Sequence, residues 1–247
     1  MFKRIVIFVV FISISFSLSA CNSNSQPTEF NKLQEIRVLD SNYLFFQKNE
    51  SKQLKLVLPY KVEELHIEKL SLVGHENVKV RILDIIENTI SISINEYISE
   101  FDKVKVTLKE GSTLVLSVGN YFFELIDIPN NATQTDDKWN VENLHSYTDE
   151  TLSYISNVTF KNVNSNSRVD IQMPQAFIQV LKISQPKITK VAEKKYSYKF
   201  QITDSFLKQT KTKNISTETI WYQENLKTKE HKFILKEFIP LSLNVSE

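Results

Sequence analysis

The chain has 247 residues, with 30 Lys and Arg against 29 Asp and Glu, for a formal charge of +1. That balance excludes the broad basic face that wholesale nucleic-acid binding needs, so no nucleic-acid partner is expected. Three glycines are too few for a glycine-rich phosphate loop, and one cysteine rules out an intramolecular disulfide or a thiolate metal cluster.

The first element is a leader. Lys3 and Arg4 precede an apolar run from Ile5 to Leu18, broken by Ser13, Ser15 and Ser17. A basic start, an apolar stretch and small residues before a cut site make a secretory signal. The run is too short for a comfortable permanent span. It ends in Leu18-Ser19-Ala20-Cys21, which resembles the lipobox of bacterial lipoproteins. The resemblance implies cleavage after Ala20 and a diacylglyceryl thioether on Cys21. It therefore implies an extracytoplasmic protein held to the cell membrane by lipidated Cys21. Each buried CH₂ contributes about 0.8 kcal/mol, and stable anchoring takes two chains, which one diacylglyceryl group supplies. Residues 1–20 are then the signal peptide, and 21–29, polar with Pro27, the lipidated tether.

Residues 30–40 read as a short helix or a first strand. Beyond them a two-residue period is plain. Leu54, Leu56 and Leu58 alternate with Lys55 and Val57; Val78, Val80 and Ile82 with Lys79 and Arg81. Ile90, Ile92 and Ile94 alternate with serines, and Val104, Val106 and Leu108 with Lys105 and Thr107. Such alternation buries one face of a strand. Leu65 and Ile67 give way to Leu70 and Leu72, a slip of one that predicts a β-bulge near Glu68-Lys69. Glu110-Gly111 predicts a tight turn into Leu114, Leu116 and Val118.

Residues 129–140 have no apolar period and read as a linker. The strand pattern then resumes at Leu152, Tyr154, Val158 and Phe160, at Val169, Ile171 and Met173, and at Tyr196, Tyr198 and Phe200. Residues 177–183 form a more continuously apolar run. Short alternating strands without long helical patterns predict an all-β protein. The expectation is two antiparallel β-sandwich domains, immunoglobulin-like, at 30–130 and 131–247. The segment from Phe46 to Pro59 resembles that from Phe160 to Pro174 in its sequence of anchor, polar turn, three-beat strand and proline. Duplication and convergence both explain that likeness.

Chemistry is sparse. Asp136, Asp137, Glu142, His145, Asp149 and Glu150 are the densest potential ligands, but no calcium-loop or His-Glu-x-x-His spacing accompanies them. A solvated linker explains them, so no metal and no cofactor is expected. Glu64, His66 and Glu68 share strand parity and read as a polar, solvent-facing edge. Neither a G-x-S-x-G elbow nor any other catalytic signature is present, so no catalytic residue is assigned.

Tyr196 and Tyr198, with Lys194, Lys195 and Lys199, are the candidate binding surface: exposed, the rings would stack on a partner; buried, they are simply core. Nine lysines between Lys182 and Lys213 face only Glu193 and Asp204. Such a segment attracts an anionic wall polymer or membrane, or guards a strand edge against aggregation. The functional expectation is a lipid-anchored, non-catalytic cell-envelope protein acting as an interaction or assembly module. Its partners are the membrane through Cys21 and an envelope protein or anionic polymer. A solute- or glycan-binding lipoprotein with a site between domains is the alternative, and an envelope hydrolase the third.

Overall fold

The computed structural model describes residues 29–128, 140–147, 151–160, 166–203, 206, 212 and 214–242. The signal segment, Cys21 and most of the tether lie outside them. The chain divides into two compact units, Met1–Ile36 and Arg37–Glu247. The described part of the first is a helix, α1, Glu29–Glu35. Ile36 donates its N–H to the Leu33 carbonyl at 3.4 Å just past its end.

The second unit is all-β and is built from three sheets. The largest has seven strands in the order β10 (Ser167–Gln172), β13 (Asn214–Asn225), β1 (Ser41–Gln47), β7 (Thr113–Ile126), β6 (Glu100–Leu108) and β3 (Ile67–Leu72), with β14 (His231–Ser242) also paired to β13. A three-stranded sheet runs β2 (Lys52–Val57), β5 (Thr89–Ile94) and β4 (Val80–Ile86). A four-stranded sheet runs β11 (Thr189–Ala192), β12 (Lys195–Thr203), β9 (Thr151–Thr159) and β8 (Asn140–Tyr147).

The alternating residues do what their period demands. Leu56, Ile90, Ile92, Ile94, Val104, Val106 and Leu116 are fully buried. The β3–β6 register slips between Ile67 and Lys69, which leaves Glu68 as the bulged residue where the parity changed. Gly111 closes the β6–β7 turn at φ +92°, its N–H bonded to the Leu108 carbonyl.

Two features depart from the sequence reading. The first is connectivity. β1 is parallel to both neighbours, pairing Ser41–Tyr43 with Ile215–Thr217 of β13 and Ser41–Gln47 with Asn120–Ile126 of β7. The proposed domains 30–130 and 131–247 therefore share one sheet, and the arrangement is not purely antiparallel. The cause is local to β1. Tyr43, Leu44, Phe45 and Phe46 are all buried, because both faces of this strand are covered. A continuous apolar run is what a strand buried on both faces carries. Tyr43 packs into the core beneath the four-stranded sheet, with Leu152, Phe177, Phe200 and Trp221. Phe46 packs the other way, edge-on to Tyr97 and Phe123.

The second departure is residues 177–183, which are mostly helical: α2 spans Gln175–Leu181 and buries Phe177, Ile178 and Leu181. Lys182, at φ +54°, ends it. Its N–H bonds the Gln179 carbonyl, and the Ile183 N–H reaches back to Ile178, a left-handed C-cap of Schellman type. The two internally similar segments also occupy unlike positions. Phe46 lies in the seven-stranded sheet and Leu54 in the three-stranded one, whereas Val169 returns to the seven-stranded sheet after β9 in the four-stranded one.

Candidate functional site

The aromatic stripe is core. Tyr198 is 2% exposed and Tyr196 9%. Tyr196 packs on Phe160, and Tyr198 on Trp221 and Tyr154. The period that made the stripe visible also points it inward, leaving Lys199 exposed on the other face. Lys194 is exposed at the turn before β12, at φ +61°, where its carbonyl accepts the Phe160 N–H. Lys195 is half-buried. These five residues do not assemble a binding surface around exposed rings.

What the sequence did not disclose is the carboxylate at the centre of that core. Glu237 of β14 is 6% exposed. It accepts hydrogen bonds from Tyr154 Oη at 2.5 Å, Tyr198 Oη at 3.1 Å and Trp221 Nε1 at 3.0 Å. Burial and the neighbouring carboxylate push both phenols well above their ordinary range. The signal was a reversed parity. Within β14, Glu237 shares the inward side with Ile239 and Leu241, and Phe238 is 55% exposed.

Glu64, His66 and Glu68 do not share a strand face. Glu64 belongs to a 3-10 turn, Glu63–Leu65, His66 is left-handed at φ +48°, and Glu68 is the bulge. Of the cluster around His145, Asp136, Asp137, Asp149 and Glu150 lie outside the described residues, while Glu142 and His145 lie on β8. Among the described residues no group of three or more His, Cys, Asp or Glu is placed to hold a metal ion. No helix there is long and apolar enough to cross a membrane.

A second buried acid, Glu218, lies at an open cleft. Glu218 sits on β13 just beyond the stretch Ile215–Thr217 that pairs with β1, and just before Ile220, where β10 takes over. At that gap its side chain replaces a strand. Glu218 Oε2 accepts the Phe45 N–H of β1 at 2.8 Å. Both its oxygens accept from Lys52 Nζ of β2, at 2.6 and 2.7 Å. The pair is nearly sealed, with side chains 9% and 11% exposed. Burial lowers the Lys52 pKa; the Glu218 charge opposes that, and Lys236 on β14 adds to it.

This ion pair forms the floor of a cleft of about 410 Å³. Leu44, Leu54, Val118 and Tyr121 contribute its walls, with Asp40 and Phe238 also lining it. One side is the free edge of β2. Among the described residues β2 pairs only with β5. Leu58 N–H bonds the Asn88 carbonyl at 2.8 Å, continuing that pairing. Antiparallel ladders alternate, so Lys52, Leu54 and Leu56 bond toward β5, and Gln53, Lys55 and Val57 direct their backbone groups outward. The Lys55 carbonyl accordingly accepts the Tyr121 hydroxyl at 3.1 Å. Val57 is 51% exposed. The two charges at the floor are spent on each other, and what the rim offers is backbone donors, backbone acceptors and apolar surface.

The chain matches no protein-family profile and no curated protein. Among solved structures, bovine butyrophilin aligns at 9% identity over 81% of this chain and 94% of its own, with a TM-score of 0.24. The D00-D0 domain of intimin aligns at 8% identity over 84% and 96%, with a TM-score of 0.20. Superpositions this poor carry no argument about function, and the all-β class rests on the strands themselves.

Proposed function

We propose that this chain is a lipid-anchored, non-catalytic protein of the cell envelope whose β-rich unit is an interaction or assembly module, with the cleft beside β2 as its docking site. The observation that carries the reading is the free edge of β2, flanked by exposed Val57 and Phe238. Unpaired edges are templates for another chain unless charge, proline or a bulge blocks them. β2 carries neither a proline nor a register shift, and its one exposed charge is Lys55, which selects among partners by sign. The lipobox-like Leu18-Ser19-Ala20-Cys21 supports the anchor. A photo-crosslinking side chain at position 57 or 238 of the full-length protein, in its own envelope, tests the docking site. The expected result is one shared adduct from both positions and none from position 226, an exposed residue in the β13–β14 turn. Equal adducts at all three positions would overturn the reading.

The cleft volume and the Phe238 ring also support a second reading, a solute- or glycan-binding lipoprotein. A sugar stacked on Phe238 would raise the unfolding midpoint by mass action, and the Phe238→Ala variant would lose that rise.

A further inference from the structure

Resting on the docking reading above, we infer that the occupant of the cleft is an extended segment of a partner polypeptide, alternating apolar and acidic residues, which adds to β2 as a fourth strand of the three-stranded sheet. The geometry comes first. The three-stranded sheet ends at β2, while the seven-stranded sheet continues through β13 to β14. Glu218 and Phe238 are directly opposite each other across β13 and β14, so they share a face. Both line the cleft with β2. A strand paired with β2 would therefore lie over Phe238, whose ring is 55% exposed.

Hydrogen bonding selects backbone as the ligand. Gln53, Lys55 and Val57 point their N–H and C=O groups outward in a row with the two-residue repeat of a strand, the Lys55 carbonyl already holding the Tyr121 hydroxyl on one lone pair, and only an extended peptide matches that repeat. Its side chains then divide. Every second one faces inward, beside Leu54 and Leu56 and against Phe238, and is apolar. The others stand beside Gln53, Lys55 and Val57.

Charge selects the acid. Lys52 and Glu218 neutralise each other; Asp40, the other acid of the lining, is tied to the Asn214 amide at 2.9 Å without an opposite charge, so the acidic side chains of the added strand are assigned to the lysines and not to its end of the cleft. Lys55 on the β2 edge and Lys236, two positions from Phe238, are exposed and make no ion pair among the described residues. Carboxylates on the added strand fit both. The same lysine argues against a second copy of this chain: antiparallel pairing of two β2 edges centred on residue 55 sets Lys55 against Lys55, and like charges directly opposite are destabilising.

The test uses the mature protein and a capped octapeptide of alternating valine and glutamate, with binding read by fluorescence anisotropy. Saturable binding at least tenfold tighter than that of a valine–lysine octapeptide is expected. Methylating alternate backbone nitrogens, in the register that faces β2, should abolish it. Val57→Pro, which removes one outward N–H, should weaken it tenfold or more, with the circular dichroism of the fold retained. Lys55→Glu, a surface change that leaves the edge intact, should invert the preference toward the lysine peptide. No saturable binding, or equal binding of the methylated peptide, overturns strand addition. If crosslinking from positions 57 and 238 persists in that case, the docking reading survives and only the occupant was misassigned. If it fails too, both fall.

Discussion

Lys52 of β2 and Glu218 of β13 are 166 residues apart in sequence, yet the ammonium sits between both carboxylate oxygens at 2.6 and 2.7 Å. The contact ties the three-stranded sheet to the seven-stranded one. Removing one partner strands the other in a dry site, so Lys52→Ala should destabilise the protein by about 3–5 kcal/mol. Glu218→Ala should lose at least as much, since the Phe45 N–H loses its acceptor as well. The double variant Lys52→Met, Glu218→Gln removes both charges and keeps an acceptor for Phe45. It should lie much closer to wild type in urea unfolding; a double variant as unstable as the sum of the singles would refute the coupling.

Glu237 should behave differently, because its partners are neutral. Glu237→Leu removes the acceptor that Tyr154, Tyr198 and Trp221 share; the Tyr198 hydroxyl keeps Thr219 Oγ1 at 3.4 Å, whereas the Trp221 indole N–H loses its bond. A buried donor left without an acceptor costs about 1–3 kcal/mol. Glu237→Gln retains an acceptor oxygen and should lose less than half as much. Equal urea midpoints for the two variants would show that the hydrogen bonds contribute little.

Alkaline pH should unfold the protein through its buried phenols. Burial raises the pKa values of Tyr121, Tyr154 and Tyr198, and pushes Tyr60 up to about 12. These groups hold their protons in the native state above about pH 10, where the unfolded chain releases them. The native state then binds more protons, so the stability they contribute is complete below about pH 10 and is lost as pH rises further. Lys52 has the opposite sign. Its pKa is lowered on folding, so it adds stability as pH climbs toward its unfolded value, one amine against four phenols. The urea midpoint should therefore fall steeply above about pH 10, together with phenolate absorbance. A midpoint unchanged to about pH 11 would contradict the burial of these rings.

Gly119 should tolerate no side chain. It adopts φ +84°, and a Cβ there would lie 2.9 Å from the Asp40 carbonyl oxygen. The neighbouring Asn120 N–H bonds that same oxygen at 2.8 Å, so the carbonyl cannot easily withdraw. The left-handed conformation alone disfavours alanine by about 1–2 kcal/mol, and the contact adds to it. Gly111→Ala, at φ +92° in open space, should show only the conformational part. The difference between the two denaturation midpoints measures the clash.

Cys21→Ala should leave an unprocessed, unlipidated precursor if the anchor is as proposed. Fractionation with labelled fatty acid checks it, and equal labelling of variant and wild type would rule it out.

The sequence by itself determined the period-two strands, the residues on their buried faces, the bulge at Glu68 and the turn at Gly111. Each of these is local: alternation, a slip in alternation, or a dihedral that favours glycine. Its lipobox-like leader also yielded the expectation at Cys21. Tertiary structure alone decided which strand edges meet. A buried face carries no record of its hydrogen-bonded neighbour, so nothing in Ser41–Gln47 disclosed that β1 would join β13 in parallel, with Ser41 opposite Ile215. The reading of two separate domains failed at that pairing. The same limit hid the cleft. Lys52 and Glu218 each look like an ordinary surface charge in sequence, and only the long-range approach of β2 to β13 desolvates them together. Tyr196 and Tyr198 show the converse: their spacing was legible, but the side they face depended on where β9, β13 and β14 packed.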